Sequence, residues 1–152
     1  MQHRVVEIAL ALAALSLVGS AQATNIQIHG TQFKPMDKST TEHSYSRVGL
    51  VNSGTHKHYI LGAVQSFEYA YYDVYVDGQN TGSNVLRHDV WFCAYDYKGN
   101  ERSCKLDSPG GATAPWTAHV QFAPSEANGG YISIDADLTG TVTLLGAGVY
   151  HW

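Results

Sequence analysis

The aromatic run from Phe67 to Val76 contains the side chains best suited to holding a ligand. Residues two apart in a strand share a face. One face then carries four aromatic rings and one carboxylate: Phe67, Tyr69, Tyr71, Tyr75 and Asp73. Because tyrosine joins an apolar ring to a hydroxyl, it suits half-exposed faces and interfaces. A sugar can stack on Tyr69, Tyr71 and Tyr75 and donate hydrogen bonds to Asp73. The row could equally pack on another protein, or merely cover one sheet face.

The opposite face of the same run is also bulky, with Tyr72, Val74 and Val76. A strand with large side chains on both faces is typically central in its sheet and covered on both sides. Asp77-Gly78 follows, and this residue pair favours a tight turn. We therefore expect the run to be one arm of a hairpin, with a second layer, a partner or a ligand over its aromatic face.

A His-x-His pair, His56 and His58, has the spacing of two metal ligands on one strand face. A site for Cu or Zn needs a third ligand, and His88, His119 or Glu42 could supply it from a neighbouring strand. The alternative is a solvated pair at the start of a strand. No cofactor other than such a metal ion is indicated.

Arg87-His88-Asp89 resembles a catalytic fragment, but neighbours in a strand point to opposite faces. No serine has the context of a nucleophile elbow either. The pattern favours a protein that is not an enzyme.

Cys93 and Cys104 flank a predicted two-residue turn at Lys98-Gly99, which places them opposite each other. In an exported protein this predicts a structural disulfide across a hairpin. The register of such a turn puts the pair at a hydrogen-bonded position, where side chains stand farther apart. A bulge or a longer turn is then needed to bring the sulfurs together.

Residues 1–23 have the features of a cleaved signal peptide: Arg4, an apolar run from Ile8 to Val18 and the motif Ala21-Gln22-Ala23. The expected mature chain is one domain, residues 24–152, secreted or periplasmic. Its formal charge near −4 argues against a nucleic-acid or anionic-membrane partner. No later apolar run is long enough for a membrane helix.

The mature sequence reads as short strands separated by turn signals, without a helical period. The predicted strands include Asn25 to Gln32, Tyr45 to Val51, His58 to Val64, Val85 to Tyr97, Asn100 to Leu106 and Trp116 to Phe122. This pattern predicts an all-β fold, an antiparallel β-sandwich of about eight strands, Ig-like or jelly-roll-like.

The chain resembles small secreted bacterial β-proteins with no assigned activity. The resemblance lies in the order of four segments: a signal, Asn25 to Thr31, Tyr72 to Gly78 and a cysteine-bearing strand. Proteins of that group tend to carry a cysteine near the position of Phe33, which this chain lacks. The resemblance implies an exported bacterial β-protein and no particular activity.

Three functions follow as hypotheses. The first is a secreted, non-enzymatic module that contacts carbohydrate or protein through Tyr69, Tyr71, Asp73 and Tyr75. The second is a structural or self-assembling surface subunit that uses sheet edges. The third is a metal-binding β-sandwich through His56 and His58.

Overall fold

A computed structural model describes residues 24–36, 43–53, 57–66, 69–81, 86–111 and 115–152. Its strands form two antiparallel sheets and a short separate ribbon, so the predicted all-β sandwich class is confirmed. In the described part of the chain, eight strands have six or more residues, which agrees with the predicted number. None of the described helices is long and apolar enough to cross a membrane.

The elements run as follows in chain order: β1 (Thr24–His29), a 3-10 turn (Gly30–Gln32), β2 (Lys34–Pro35), β3 (His43–Tyr45), β4 (Leu50–Asn52), β5 (Lys57–Ser66), β6 (Tyr72–Asn80), β7 (Leu86–Arg87), β8 (Asp89–Asp96), β9 (Glu101–Asp107), β10 (Gly110–Gly111), β11 (Pro115–Phe122), α1 (Pro124–Ala127), β12 (Gly130–Leu138) and β13 (Val142–His151).

The first sheet, sheet A, has the order β11-β6-β13-β4-β3, and β1 also pairs with β13 beyond the end of β4. The second, sheet B, has the order β2-β5-β12-β8-β9, while β7 and β10 form the separate ribbon. The two sheets enclose an apolar core. Strict alternation builds it: in β11 the side chains of Trp116, Ala118, Val120 and Phe122 are buried and those between them are exposed. The alternation predicted for Trp116 to Phe122 is confirmed.

The aromatic run differs from its prediction at both ends. Residues 67 and 68 lie outside the described residues, Tyr69 and Ala70 form a bend, and the strand begins at Tyr72. The turn predicted at Asp77-Gly78 is wrong, because β6 continues to Asn80 and pairs there with β11 and β13. Gly78 serves packing: a Cβ atom at this position would lie 2.2 Å from Cζ2 of Trp116. The Trp116 indole occupies the space that a side chain would need.

The single strand predicted from Tyr45 to Val51 is also wrong. The chain turns back at residues 46–49 to form the β3–β4 hairpin, with the Ser46 N–H donating to the Gly49 carbonyl at 2.8 Å. A Cβ atom on Gly49 would lie 1.8 Å from the Leu144 carbonyl oxygen. The close approach of this turn to β13 therefore requires glycine, a requirement that alternation in the sequence does not reveal.

Cys93 and Cys104 form a disulfide across β8 and β9, with their Cα atoms 4.1 Å apart. A bulge between this pair and the turn adds one residue to β9, as the register argument required. The turn differs from the predicted one: Asp96 rather than Tyr97 faces Asn100, and three residues, Tyr97 to Gly99, lie between this facing pair. The Asp96 carboxylate accepts hydrogen bonds from the side-chain amide of Asn100 and from the backbone N–H groups of Asn100 and Lys98. These bonds lower the pKa of Asp96.

Side chains of β9 cover the open edge of sheet A. The Asp107 carboxylate accepts from the backbone N–H of His119 at 2.8 Å, and the Lys105 ammonium donates to the carbonyl of Gln121 at 2.6 Å. Both backbone groups belong to β11, the edge strand. Satisfying them with side chains removes positions at which another chain could add a strand.

A buried polar cluster joins the sheets near the β7–β8 junction. Asn80 Oδ1 accepts from Trp116 Nε1 at 3.0 Å and from His88 Nε2 at 2.7 Å. The Thr139 N–H donates to His88 Nδ1 at 3.3 Å, so the proton of the neutral ring is on Nε2. His88 is 1% exposed, and burial lowers its pKa from 6.5 against the opposing effect of Asp89.

We expect the protein to lose stability in mild acid because of His88. Its pKa is lower in the folded than in the unfolded chain, so the unfolded chain binds more protons as the pH falls below about 6.5. The free energy of unfolding should therefore fall through that range and level off below the folded pKa. NMR titration of the imidazole should place the folded pKa of His88 below 6.5. A His88→Gln variant should show a weaker acid dependence of unfolding than wild type; an unchanged dependence would contradict the assignment.

Candidate functional site

The outer face of sheet A receives most of the residues singled out in the aromatic run. In β6, Asp73 and Tyr75 point outward and are half-buried, while Tyr72, Val74 and Val76 point into the core. Tyr71 lies immediately before β6 and is 45% exposed. Tyr69 is 74% exposed but lies in the bend, not in the strand. The structure thus brings Tyr71, Asp73 and Tyr75 into one surface and leaves Tyr69 at its margin.

The neighbouring strand β13 and the residue after it add two aromatic side chains that sequence reasoning did not assign to a site. The ring of Trp152 stacks on Tyr71 with centroids 6.0 Å apart, and that of Tyr150 stacks on Tyr75 at 5.6 Å. Tyr71 and Trp152 also exchange both backbone hydrogen bonds, which fixes the end of the chain beside β6. The spacing of Tyr150 and Trp152, two residues apart, was the available signal, but it does not identify the neighbouring strand.

One glycine of β13 leaves room for the Tyr75 ring. A Cβ atom on Gly148 would lie 2.2 Å from the Tyr75 hydroxyl, so the Tyr75 ring leans across β13 at this position. Burial raises the pKa of Tyr75, as do the hydrogen bond that its hydroxyl donates to Tyr150 and the charge of Asp77, against an opposing hydrogen bond with Gln27. The Tyr75 hydroxyl is therefore held by groups from β13 and β1 and stays protonated at neutral pH.

Polar groups lie directly beside the stacked rings. Asp73 Oδ1 is 3.2 Å from His119 Nε2 and accepts from the Gln121 amide at 3.3 Å. Both partners come from β11, in the register that pairs Gln121 with Asp73 and His119 with Tyr75. Carboxylate, amide and imidazole groups thus lie between the Tyr71 and Tyr75 positions, where they can bind hydroxyl groups.

An open groove of about 560 Å³ continues the surface beyond Tyr75. Its lining includes Asp77, Thr117 and Gly146, with Gln27 and His29 from β1. The Thr117 hydroxyl donates to Asp77 at 2.6 Å, which orients that carboxylate. Strands β1, β6, β11 and β13 contain no lysine or arginine, so the charges that these four strands contribute to the face are carboxylates. We call the surface from Tyr71 and Trp152 to Asp77 and Gly146 the A face.

Of the proposed metal ligands, only His88 and His119 have described side chains, and these two lie in different parts of the fold. His56 and Glu42 lie outside the described residues, and of His58 only the backbone, in β5 of sheet B, is described. His88 is buried in the polar cluster, and His119 is on the A face of the other sheet. Among the described residues, the group whose atoms come within ligand distance is Cys93, Glu101 and Cys104, and its cysteines are oxidised. Metal binding through His56 and His58 stays a prediction.

Comparisons with known proteins give a fold and no family. No protein-family model matches the chain, and no curated protein does. The CBM22-1 xylan-binding domain of Xyn10C from Paenibacillus barcinonensis superposes with a TM-score of 0.52 at 9% identity, over 83% of this chain and 92% of that chain. The CBM36-1 domain of a multidomain xylanase from the hindgut metagenome of Trinervitermes trinervoides gives 0.48 at 12% identity, over 84% and 96%. A family 35 carbohydrate binding module from Clostridium thermocellum gives 0.46 at 10%, over 83% and 97%. At such identities the likeness concerns the β-sandwich fold alone.

We expect Gly148→Ala to displace the Tyr75 ring from the A face, because the new methyl group would occupy the ring's position. The far end of a tyrosine side chain can swing aside, so the backbone should persist and the loss should be that of the Tyr75–Tyr150 stack, about 1 kcal/mol. The free energy of unfolding measured in denaturant checks this. In a Tyr75→Ala background the same substitution should cost nearly nothing; an equal cost in both backgrounds would show that Gly148 is required for another reason.

Proposed function

We propose that this protein is a non-enzymatic carbohydrate-binding module whose A face is the contact surface. The observation that carries the proposal is the pair of aromatic stacks, Tyr71 with Trp152 and Tyr75 with Tyr150, with Asp73 between them. A sugar ring offers apolar C–H groups on its faces and hydroxyl groups around its rim. Exposed aromatic rings bind the first, and carboxylate, amide and imidazole groups bind the second.

The size and shape of the A face favour a polysaccharide chain over a single sugar. Tyr71 and Tyr75 are four residues apart, which is about 13 Å along a strand. The groove extends the surface further, past Asp77 and Gly146. A ligand that contacts both stacks and the groove must contain several sugar units and run along β6 and β13.

The charge of the A face favours a neutral polysaccharide. Asp73 and Asp77 are its charged groups in β6, and the four strands that form it contain no lysine or arginine. A uronic acid or a sulfated sugar would bring an anion to these carboxylates and be repelled. A xylan-binding domain shares the β-sandwich fold at a TM-score of 0.52, so xylan is the first ligand to test.

Export to the periplasm or the medium is part of the proposal. The Cys93–Cys104 disulfide supports it, because disulfides persist in oxidising compartments. We propose that residues 1–23 are removed during export, and a mass of the exported protein that begins at Thr24 checks this. An exported protein that retains residues 1–23 would contradict it.

A structural or self-assembling subunit is the second candidate, and one feature favours it. An apolar groove of about 680 Å³ lies between β1 and β5, lined by Ile26, Ile28, Ile60 and Leu61 among others. The two strands belong to different sheets. An added strand from another copy would cover this groove.

We expect the purified protein to bind neutral polysaccharides. The Tyr71→Ala variant should bind them about tenfold more weakly, because it loses one stacking ring that contributes about 1.4 kcal/mol to the free energy of binding. Affinity electrophoresis or isothermal titration calorimetry with xylan, cellulose-derived and mixed-linkage glucans measures this. Tyr97→Ala is the matched control, since Tyr97 is a tyrosine 76% exposed in the β8–β9 turn of the other sheet. Equal losses in the two variants would contradict the assignment of the A face. High-order assembly of the wild type without any glycan would favour the second candidate.

A further inference from the structure

The outer face of sheet B also carries exposed aromatic side chains, although nothing in the aromatic run pointed to it. Trp91, in β8, points outward and is 41% exposed. The residues level with Trp91 on the neighbouring strands are Asp135 and then Ile60 on one side and Leu106 on the other. Ile60 is 37% exposed and Leu106 43%. A mostly apolar row, with the Asp135 carboxylate inside it and Lys34 at its β2 end, therefore crosses this sheet on the side opposite the A face.

A second aromatic platform lies farther along the same strands. Tyr95 of β8 and Tyr131 of β12 are register partners, and their rings stack with centroids 5.0 Å apart. Trp91 and Tyr95 are four residues apart, hence about 13 Å along β8. This is the separation of Tyr71 and Tyr75 on the A face, and the second platform is again a stacked tyrosine pair.

Polar groups suited to hydroxyls flank both platforms. Asp135 is the register partner of Trp91, and Glu101 and Gln65 are the outer neighbours of the Tyr95–Tyr131 pair. The strands that carry the platforms, β8 and β12, contain no lysine or arginine, and the charged groups next to the platform rings are the carboxylates of Asp135 and Glu101. Lys34 lies at the far end of the Trp91 row, beyond Ile60. Beside the platform rings, the charge is therefore of the same sign as on the A face and disfavours an anionic ligand there.

We propose that this surface, from Trp91 and Asp135 to Tyr95 and Tyr131, is a second binding site for a neutral polysaccharide chain; we call it the B face. The inference rests on the proposed function of the A face and extends it. Because the two faces are on opposite sides of a two-layer sandwich, a single molecule holds two polysaccharide chains at once. The protein then cross-links polysaccharides, in addition to binding them.

Cross-linking gives the proposal a readout that simple binding lacks. Wild-type protein should precipitate or gel a soluble neutral polysaccharide at a suitable ratio, whereas Tyr71→Ala and Trp91→Ala should each bind without precipitating. Affinity for the long polysaccharide should fall at least tenfold in each single variant, since avidity is lost together with one site. The double variant Tyr71→Ala/Trp91→Ala should bind the long polysaccharide more weakly than either single variant, because each face keeps only its tyrosine pair. Tyr97→Ala removes an exposed ring from the β8–β9 turn, which belongs to neither row of platform residues, and should behave as wild type.

Each other outcome overturns one specific statement. Precipitation by Trp91→Ala at the wild-type level would overturn the B face and leave the A face standing. A change in oligomeric state of Trp91→Ala in sedimentation, with glycan affinity unchanged, would show that the B face binds protein and would also overturn the proposal. Absence of any polysaccharide binding by the wild type would remove the proposed function itself. A circular dichroism melt of each variant separates loss of a site from loss of the fold.

Discussion

Pairing of the last strand, β13, is the interaction on which most of this structure depends. β13 bonds to β6 along its whole length and, on its other edge, to β4 and then to β1. It supplies Val142, Leu144 and Val149 to the core from one face and Tyr150 to the surface from the other. Without β13, the remaining strands of sheet A would separate into the pairs β11–β6 and β3–β4, and β1 would have no partner. The A face and one side of the core therefore depend on the same strand.

Glycine makes that pairing possible at close range. Gly49 and Gly30, from two different turns, both lie against the backbone of Leu144. A Cβ atom would lie 1.8 Å from the Leu144 carbonyl oxygen if added to Gly49, and 1.9 Å from it if added to Gly30. Gly148 gives the Tyr75 ring its position over the strand. The same property, absence of a side chain, thus serves packing inside the sandwich and a flat aromatic surface outside it.

A two-layer sandwich leaves both outer faces available for binding, and here both carry aromatic pairs at matching spacing. The inner faces are mostly apolar, with a few polar ties. The Tyr59 hydroxyl donates to Asn52 at 2.7 Å from one sheet to the other, and Asn80 joins His88 to Trp116. Such ties set the relative position of the sheets, because a buried polar group left without its partner would be costly. Rigid sheets in turn hold the surface rings where an extended ligand can contact several of them.

The sequence by itself determined the fold class, the disulfide pair and the alternation of strands such as Trp116 to Phe122, since these depend on local period, spacing and composition. It also placed Tyr71, Asp73 and Tyr75 in one surface, because residues two apart share a face wherever a strand forms. Only the tertiary structure decided that Asp77-Gly78 continues a strand, since the indole of Trp116 lies where a Gly78 side chain would be. It also decided that Tyr150 and Trp152 complete the A face and that Trp91 lies on the opposite sheet. Strand order and register bring these residues together from distant parts of the chain, and those long-range pairings leave no local pattern in the sequence.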